Sequence, residues 1–348
     1  HALLGLPHKP GCNTGSGFIP NTVRSSDFTH LMTLHSLYTT LDMAAGQWTV
    51  TAGLRGEYAD ICNSLASQHR NLSQSYLNLY PTLHLSRATG SDGKLTVSYS
   101  LRVNRPEGSD MNPFAEQINP LSLEAGNPDL KPEKIHSLEA GWLWHPAIGG
   151  SLTSTLYYRY IANQITTVSR YIESGVLLTT KENLQSAQNA GIELIWSLPA
   201  AQWLDFNLNA NGYYNQIDAS RLGFGKNKDT FSWSALFNAN FRPLSHYMIQ
   251  LNARYRSATL VPQGRRDADL RINLGMKYDI PAINLSLIAS VTDLFDTYRK
   301  SYTLDTPELK QKVEKRRNPR IFYIGAAWQF GGGNGKRHNA NVEYDEGL

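Results

Sequence analysis

Stretches of about ten residues in which apolar and polar side chains alternate recur along this chain. The last of them places a run of apolar side chains on one face: Phe322, Ile324, Ala326, Trp328 and Phe330. Because successive side chains of a strand point to opposite faces, each stretch predicts a strand with one apolar and one polar surface. A soluble sheet covers its apolar surface with a second sheet or with helices. A barrel in lipid instead turns that surface outward around a polar interior.

The alternation predicts thirteen strands, and each is long enough for a tilted strand to cross a bilayer, which takes about 9–11 residues. The predicted strands are 29–43, 47–60, 76–88, 95–104, 134–146, 151–164, 187–198, 203–217, 229–242, 246–258, 266–279, 283–296 and 316–330. The sequence therefore predicts an all-β, antiparallel fold, with the transmembrane barrel as its architecture.

The connections between the predicted strands alternate between short and long. Short connections are 44–47, 89–94, 146–150, 199–202, 242–245 and 280–282, and long ones are 61–75, 105–133, 165–186, 218–228, 259–265 and 297–315. An outer-membrane barrel has this asymmetry, with short turns facing the periplasm and long loops facing outside. Within the loop 165–186, two strand-like segments at 165–170 and 176–181 flank a turn, which predicts a hairpin rising above the membrane.

Charged side chains fall on the polar positions of the predicted strands. An Arg or Lys on the lipid face near the bilayer midplane costs about 2–4 kcal/mol, so this phase is a strong constraint. The charges predicted to face the lumen are Arg55, Glu57, Arg102, Glu139, Arg159, Glu193, Arg254 and Arg271. In a plugged barrel such groups hydrogen-bond to the plug, and in an open pore they set selectivity. Aromatic residues toward the strand ends, as interfacial girdles require, are Trp48, Tyr99, Trp142, Trp144, Trp196, Trp203, Trp233 and Trp328.

Several classes of protein are disfavoured by composition. The sequence has no run of 18 apolar residues, so a membrane-spanning helix is not expected. The net charge of +4 comes from scattered basic residues and predicts no nucleic-acid partner. The ten His residues are dispersed without metal-ligand spacing, and no paired catalytic motif occurs. Neither an enzyme nor a cofactor is expected.

Two motifs in the loop 105–133 carry a resemblance to a known family. The loop contains Asn112-Pro113-Phe114 and, further on, Gly126-Asn127-Pro128-Asp129-Leu130-Lys131-Pro132-Glu133. Together they resemble the NPF and GNPxLKPE motifs of TonB-dependent outer-membrane receptors, most of all the barrel type of Bacteroidota. Further matches follow in the family's order over 29–331: GLRGE at 53–57, YLNLYP at 76–81, SLRVNRP at 100–106, NAGIEL at 189–194 and SVTDLFD at 290–296.

The resemblance implies a barrel of about 22 strands in a bacterial outer membrane, closed by an N-terminal plug that couples to TonB. Bacterial single-chain barrels have an even number of strands, whereas the thirteen predicted here are an odd number. The chain is therefore expected to be the C-terminal part of a larger barrel, without plug or TonB box. Residues 1–28 are predicted to be a remnant on the loop side, 29–330 the barrel and 331–348 a disordered periplasmic tail. The implied partners are outer-membrane lipid, TonB and a small ligand.

The motif loop has its own turn chemistry. Pro128 and Pro132 hold the residues before them extended, and Gly126-Asn127 is expected to supply a turn with positive φ. A loop of this length is usually folded and functional. Two roles stay open for it, bracing the barrel mouth and contacting the ligand.

Two further sets of candidate residues lie in the loops. Cys12 and Cys62 are the only cysteines, and the predicted topology puts both at the same outer rim. Because the periplasmic route oxidises thiols, a disulfide between them is predicted, with free thiols or another partner as the alternatives. Candidate ligand contacts in the loops are Arg170, Tyr171, Phe224, Lys226, Lys228 and Tyr302.

The leading functional hypothesis is an active-transport receptor whose outer loops capture a scarce ligand. An iron chelate, cobalamin, a glycan and a peptide all stay open as ligands, because the choice depends on loop shape. The alternative hypothesis is a passive porin or a surface interaction barrel without TonB coupling.

Overall fold

The computed structural model describes residues 11–13, 18–20, 28–65, 70–172, 175–220, 228–305, 310–316 and 320–330. The elements in chain order are β1 (Gly11–Asn13), β2 (Phe18–Pro20), β3 (Phe28–Ala45), β4 (Trp48–Leu65), β5 (Arg70–Thr89), β6 (Gly93–Asn104), α1 (Gly108–Met111), β7 (Glu116–Asn119), β8 (Ser122–Glu124), β9 (Glu133–Trp144), β10 (Ser151–Ala162), β11 (Ile165–Tyr171), β12 (Leu177–Asn183), β13 (Ser186–Ala201), β14 (Leu204–Asp218), β15 (Lys228–Phe241), β16 (Tyr247–Arg256), β17 (Thr259–Val261), β18 (Gly264–Arg266), β19 (Asp269–Ile280), a 3₁₀ turn (Pro281–Ile283), β20 (Leu285–Thr292), β21 (Lys300–Asp305), β22 (Lys310–Lys315) and β23 (Ile321–Trp328). Within these ranges, no helix is long and apolar enough to cross a membrane.

One antiparallel sheet of thirteen strands dominates the fold, one strand for each stretch predicted from the alternation. Its order is β3-β4-β5-β6-β9-β10-β13-β14-β15-β16-β19-β20-β23, so neighbours in the sheet are also neighbours in the sequence of long strands. The thirteen predicted strands are thereby confirmed. β20 and β23 are shorter than expected, at 8 residues each. β20 ends where Asp293 takes a left-handed conformation with φ of 49°.

The strand register gives the sheet an apolar face. Directly opposed residues form an apolar row across nine strands: Met43, Val50, Leu85, Val97, Ala140, Leu156, Ile192, Gly212 and Trp233. Large side chains on this face stay uncovered, with Leu37 82% exposed and Leu156 59% exposed. Among the described residues, therefore, no second layer packs over this face, as the barrel interpretation requires.

The next row of opposed residues lies on the other side of the sheet, which we call the polar face. This row consists of Asp42, Thr51, His84, Ser98, Glu139, Tyr157, Gly191, Tyr213 and Ser232. A shift of one strand by one residue would exchange these sets, so the register is fixed by the sequence pattern.

Aromatic pairs cluster at the end of the sheet that carries the short turns. Trp142 and Trp144 stack with ring centroids 5.9 Å apart, and Trp203 meets Phe241 edge-on at 5.4 Å. At the other end, which carries the long loops, Trp233 packs on Tyr255 at 4.5 Å. These tryptophans, all predicted at strand ends, lie at both ends of the sheet, as in the girdles of a membrane barrel. Tyr99, predicted with them, lies in the middle of β6 instead.

The long loops contain two further sheets. The predicted hairpin forms as β11 and β12, and a parallel pairing joins β12 to β8 in the order β11-β12-β8-β7. A second sheet has the order β17-β18-β21-β22. The hairpin is confirmed. The other loop strands are not recognised from the sequence because each is only 3–6 residues long, too short for the alternation to stand out.

Candidate functional site at the long-loop rim

Arg105, directly after β6, ties the start of the motif loop to the polar face of the sheet. Its Nε donates to the Tyr76 hydroxyl at 2.9 Å, and a second guanidinium nitrogen donates to the carboxylate of Glu57. Glu57 is only 5% exposed and also accepts from Arg55 Nε at 2.6 Å. Burial acts to lower the pKa of Arg105, but the hydrogen bonds to Glu57 and Tyr76 outweigh it and raise that pKa. The guanidinium therefore stays charged and fixed.

Met111, the last residue of the helix α1, lies against the polar face of β4 near the long-loop end of that strand. Asn63 Nδ2 donates to Met111 Sδ at 3.8 Å, and Asn63 Oδ1 lies 2.6 Å from His30 Nδ1. Met111 is fully buried, as are Ala59 and Ile61 on the same face of β4. The loop 105–133 thus folds back over the polar face at the rim instead of projecting away from it.

The turn at Gly126 differs from the sequence prediction. Neither Gly126 nor Asn127 has positive φ, so the expectation of a left-handed turn is wrong. A glycine is required here because the backbone of 110–112 approaches it closely. A Cβ at Gly126 would lie 2.4 Å from the carbonyl oxygen of Asp110. Asn127 makes the turn through its side chain, whose Oδ1 accepts the amide of Asp129 at 3.0 Å.

The hairpin β11-β12 is locked to the motif loop by side chains as well as by the parallel pairing. Asn183 Nδ2 donates to the carbonyl oxygen of Lys131 at 2.9 Å, and Asn183 Oδ1 accepts the amide of Lys131 at 2.9 Å. Asn127 Nδ2 donates to the carbonyl oxygen of Lys181 at 3.1 Å, and Lys181 Nζ lies 3.2 Å from a carboxylate oxygen of Asp110. The NPF segment, the GNPDLKPE segment and the hairpin therefore form one folded unit.

The second loop sheet joins this unit through Gln263, which follows β17. Gln263 makes two hydrogen bonds to the backbone of Ser169 in β11. An apolar cluster of Leu184, Ala187, Ile217 and Ala219 packs with Ile161 of β10 and Leu260 of β17. We call the whole assembly of 105–133, 163–185 and 257–268 the loop layer. Hydrogen bonds and the parallel pairing of β8 with β12 hold these three loops together at the long-loop end of the sheet.

The eight charges predicted to face the lumen all lie on the polar face by register. Glu139 accepts from Arg159 at 3.3 Å and from Ser137 Oγ at 2.9 Å. Arg254 and Arg271 are direct cross-strand partners. Contact with a plug stays a prediction for all eight. The face is less polar near the loop layer than expected, because apolar residues fill the row that Arg102 begins: Ile135, Ile161, Ala187 and Ile217.

The candidate ligand contacts that the structure describes have different partners within the loops. Arg170 pairs with Glu182 at 2.5 Å, and Tyr171 beside it is 50% exposed. Lys228 Nζ donates to the carbonyl oxygen of Pro262 at 3.1 Å, and Tyr302 lies in β21 opposite Arg266. Phe224 and Lys226 lie outside the described residues. The ligand role of these residues stays a prediction.

The two cysteines are also only partly described. The Cys62 side chain is half-buried on the apolar side of β4, and Ser73 Oγ lies 4.0 Å from its Sγ. The side chain of Cys12 lies outside the described residues, so its pairing with Cys62 stays a prediction.

Several residues of the site escape sequence reasoning. Gln263 and Asn183 carry no local signal, since each acts on a segment brought near only by the fold. Tyr76 begins the YLNLYP segment, but its hydrogen bond to Arg105 is not predicted from that segment. Asp296 in the loop after β20 accepts a hydrogen bond from Arg316, which holds the pKa of that carboxyl below its usual value. Asp296 ends the SVTDLFD segment at 290–296, but its partner Arg316 is not predicted from the sequence.

Comparisons with known proteins agree with this architecture. A family model described as the outer membrane protein beta-barrel family matches residues 11–328. A search of curated protein sequences gives no match.

Solved structures share the fold at low sequence identity. The siderophore receptor PirA from Pseudomonas aeruginosa is 14% identical with a TM-score of 0.55, over 86% of this chain and 57% of that one. The ferric-catecholate import receptor Fiu from E. coli K12 is 14% identical with a TM-score of 0.62, over 89% and 46%. The copper transporter OprC is 15% identical with a TM-score of 0.62, over 91% and 51%. The chain thus spans about half the length of these proteins.

Proposed function

This chain belongs to the outer membrane protein beta-barrel family, and on that premise we propose that it forms the barrel of a receptor that imports a scarce ligand. The receptor lies in the bacterial outer membrane. Its apolar face contacts lipid, its polar face lines the lumen, and the long loops face outside. Energy for import comes from TonB acting through a plug domain within the lumen.

The loop layer is the observation that carries this proposal. A passive pore needs an open mouth, whereas here three loops are tied together over the polar face by Asn183, Gln263 and the parallel pairing of β8 with β12. Loops held this rigidly lose little conformational entropy when a ligand binds, which favours capture at low concentration. The likeness to receptors for siderophores and to a copper transporter supports the same class.

The ligand is not fixed by these comparisons, since PirA is a siderophore receptor, Fiu a ferric-catecholate import receptor and OprC a copper transporter. An iron chelate, cobalamin, a glycan and a peptide stay as candidates. In each case the loop layer makes the first contact and the charges of the polar face line the onward path.

Two measurements test the proposal. Protein purified from outer membranes is placed in planar lipid bilayers, where we expect no large ungated conductance. In cells, growth on each candidate ligand as the limiting source is compared between the parent strain and a strain lacking TonB. Growth on one ligand that needs both this protein and TonB supports the proposal. A large, stable conductance together with TonB-independent growth favours the passive pore.

A loop variant sharpens the test. Deletion of 166–182 removes the hairpin of the loop layer, and we expect ligand-dependent growth to fall while the barrel still assembles. The matched control inserts two glycines after Gly90 in the short turn between β5 and β6, at the other end of the barrel. Equal growth of both variants would contradict a capture role for the loop layer.

A further inference from the structure

Arg254 of β16 and Arg271 of β19 lie directly opposite each other in the sheet. Both are half-buried on the polar face. The opposed pair Asn252 and Asn273 is the next pair on that face, two residues along each strand. Cβ atoms of opposed residues in an antiparallel pair are about 4.5–5.5 Å apart, and like charges so placed repel. An uncompensated arginine pair at this position therefore needs an explanation.

No carboxylate of the described residues lies within ion-pair distance of Arg254 or Arg271. The acidic groups Asp269 and Asp293 have other partners. Asp269 lies 2.8 Å from Arg266 and 3.3 Å from Arg256, and Asp293 accepts the amides of Thr297 and Tyr298.

The other neighbours add no negative charge. Arg271 lies over the ring of Tyr298, with its Cζ 5.3 Å from the ring centroid. On the β15 side, Arg254 faces Leu236, and below the pair the amides of Asn252 and Asn273 bond to each other at 3.0 Å. Arg256 and Arg266 share one carboxylate between two guanidinium groups. The wall around the pair therefore carries an excess of positive charge.

We propose that Arg254 and Arg271 form an anion-binding clamp in the lumenal wall. Each guanidinium group carries a planar fork of N–H donors that matches the oxygens of a carboxylate or a phosphate group, and opposed residues can direct two such forks at one anion. Leu236 and the ring of Tyr298 reduce the water around the forks, which strengthens each charge-assisted hydrogen bond. The occupant is an oxyanion, supplied either by a solute that passes the loop layer or by a carboxylate side chain of a lumenal segment of the same protein.

The clamp deepens the proposed function, because under that function the polar face lines the path of the ligand. The test of the clamp measures anion binding and thermal unfolding and needs no transport. Its result therefore does not depend on whether the protein is a receptor or a passive pore. The protein is purified from outer membranes in detergent, as wild type, as R254Q/R271Q and as R242Q. Arg242 is the control because it already pairs with Asp205.

Thermal unfolding and calorimetric binding are measured with inorganic pyrophosphate and with citrate as probes. If a solute occupies the clamp, the probes raise the Tm of wild type and of R242Q, and R254Q/R271Q weakens probe binding at least about tenfold. If a carboxylate of the protein occupies it, the probes have no effect and R254Q/R271Q has a lower Tm than wild type. Absence of any probe effect, with R254Q/R271Q as stable as wild type or more so, overturns the proposal.

Discussion

Gln263 and Ser169 exchange two hydrogen bonds although 94 positions separate them. The amide of Ser169 donates to Gln263 Oε1 at 2.6 Å, and Gln263 Nε2 donates to the carbonyl oxygen of Ser169 at 2.6 Å. Gln263 is 3% exposed, so water does not compete for either bond. One side chain amide thereby takes the place of a strand neighbour along the edge of β11 and couples the two loop sheets.

Substitution Q263A is expected to uncouple these sheets. It leaves the amide and carbonyl of Ser169 buried without partners, and each such group costs about 1–3 kcal/mol. Hydrogen exchange followed by mass spectrometry is expected to show faster exchange over 165–183, with the strands of the main sheet unchanged. Q329A, at an exposed glutamine of the opposite end, is the control. Unchanged exchange over the hairpin in Q263A would mean that the two bonds contribute nothing to the loop layer.

Glu57 holds the start of the motif loop, and E57Q is expected to release it. The buried carboxylate faces both Arg55 and Arg105, and hydrogen bonds to charged groups contribute about 1.5–3 kcal/mol each. We expect a loss of about 2–3 kcal/mol in the free energy of unfolding and proteolytic cleavage within 105–133.

The matched control for E57Q breaks an ion pair that is exposed. Arg170 and Glu182 pair at 2.5 Å, with the Arg170 side chain 44% exposed. R170Q is expected to cost less than about 1 kcal/mol, as exposed pairs do. Equal losses from E57Q and R170Q would refute the anchoring role of Glu57.

The sequence predicts the local part of this fold and none of its long-range loop contacts. Alternation has a period of two residues, so the opposite faces of Val97 and Ser98 follow from the sequence alone. The alternation shows which face of the sheet a residue lies on but not its position along the barrel axis. Arg254 and Arg271 are therefore both assigned to the polar face from the sequence, but their pairing across the strands is not predicted. The pairing of Leu123 with Leu178 depends on how the loops fold over the rim, which no short pattern encodes.

Gly126 of the GNPDLKPE segment is expected to tolerate no side chain. A Cβ would lie 2.4 Å from the Asp110 carbonyl oxygen and 2.7 Å from the Asn112 amide nitrogen, and backbone atoms cannot move aside as a side chain can. G126A is therefore expected to cost about 1–3 kcal/mol and to expose the loop layer to protease.

The control for G126A is G141A. A Cβ at Gly141 would meet Thr155 Oγ1 at 3.5 Å, an ordinary contact. Both glycines are compared by urea unfolding in the same detergent and by limited proteolysis. If G126A retains wild-type stability and protease resistance, the close approach of 126 to 110–112 is not essential to the loop.

Leu156 and Thr155 give the most direct test of which solvent each face meets. They are neighbours near the middle of β10, with Leu156 in the apolar row and Thr155 opposite Glu193 on the polar face. Arginine on a lipid face near the bilayer midplane costs about 2–4 kcal/mol, whereas an arginine opposite Glu193 gains a partner. We expect L156R to reduce the folded, membrane-inserted fraction strongly and T155R to leave it near wild type. The fraction is measured by heat-modifiable gel mobility of outer-membrane preparations. If T155R is the more damaging of the two, the apolar row cannot be the surface that meets lipid.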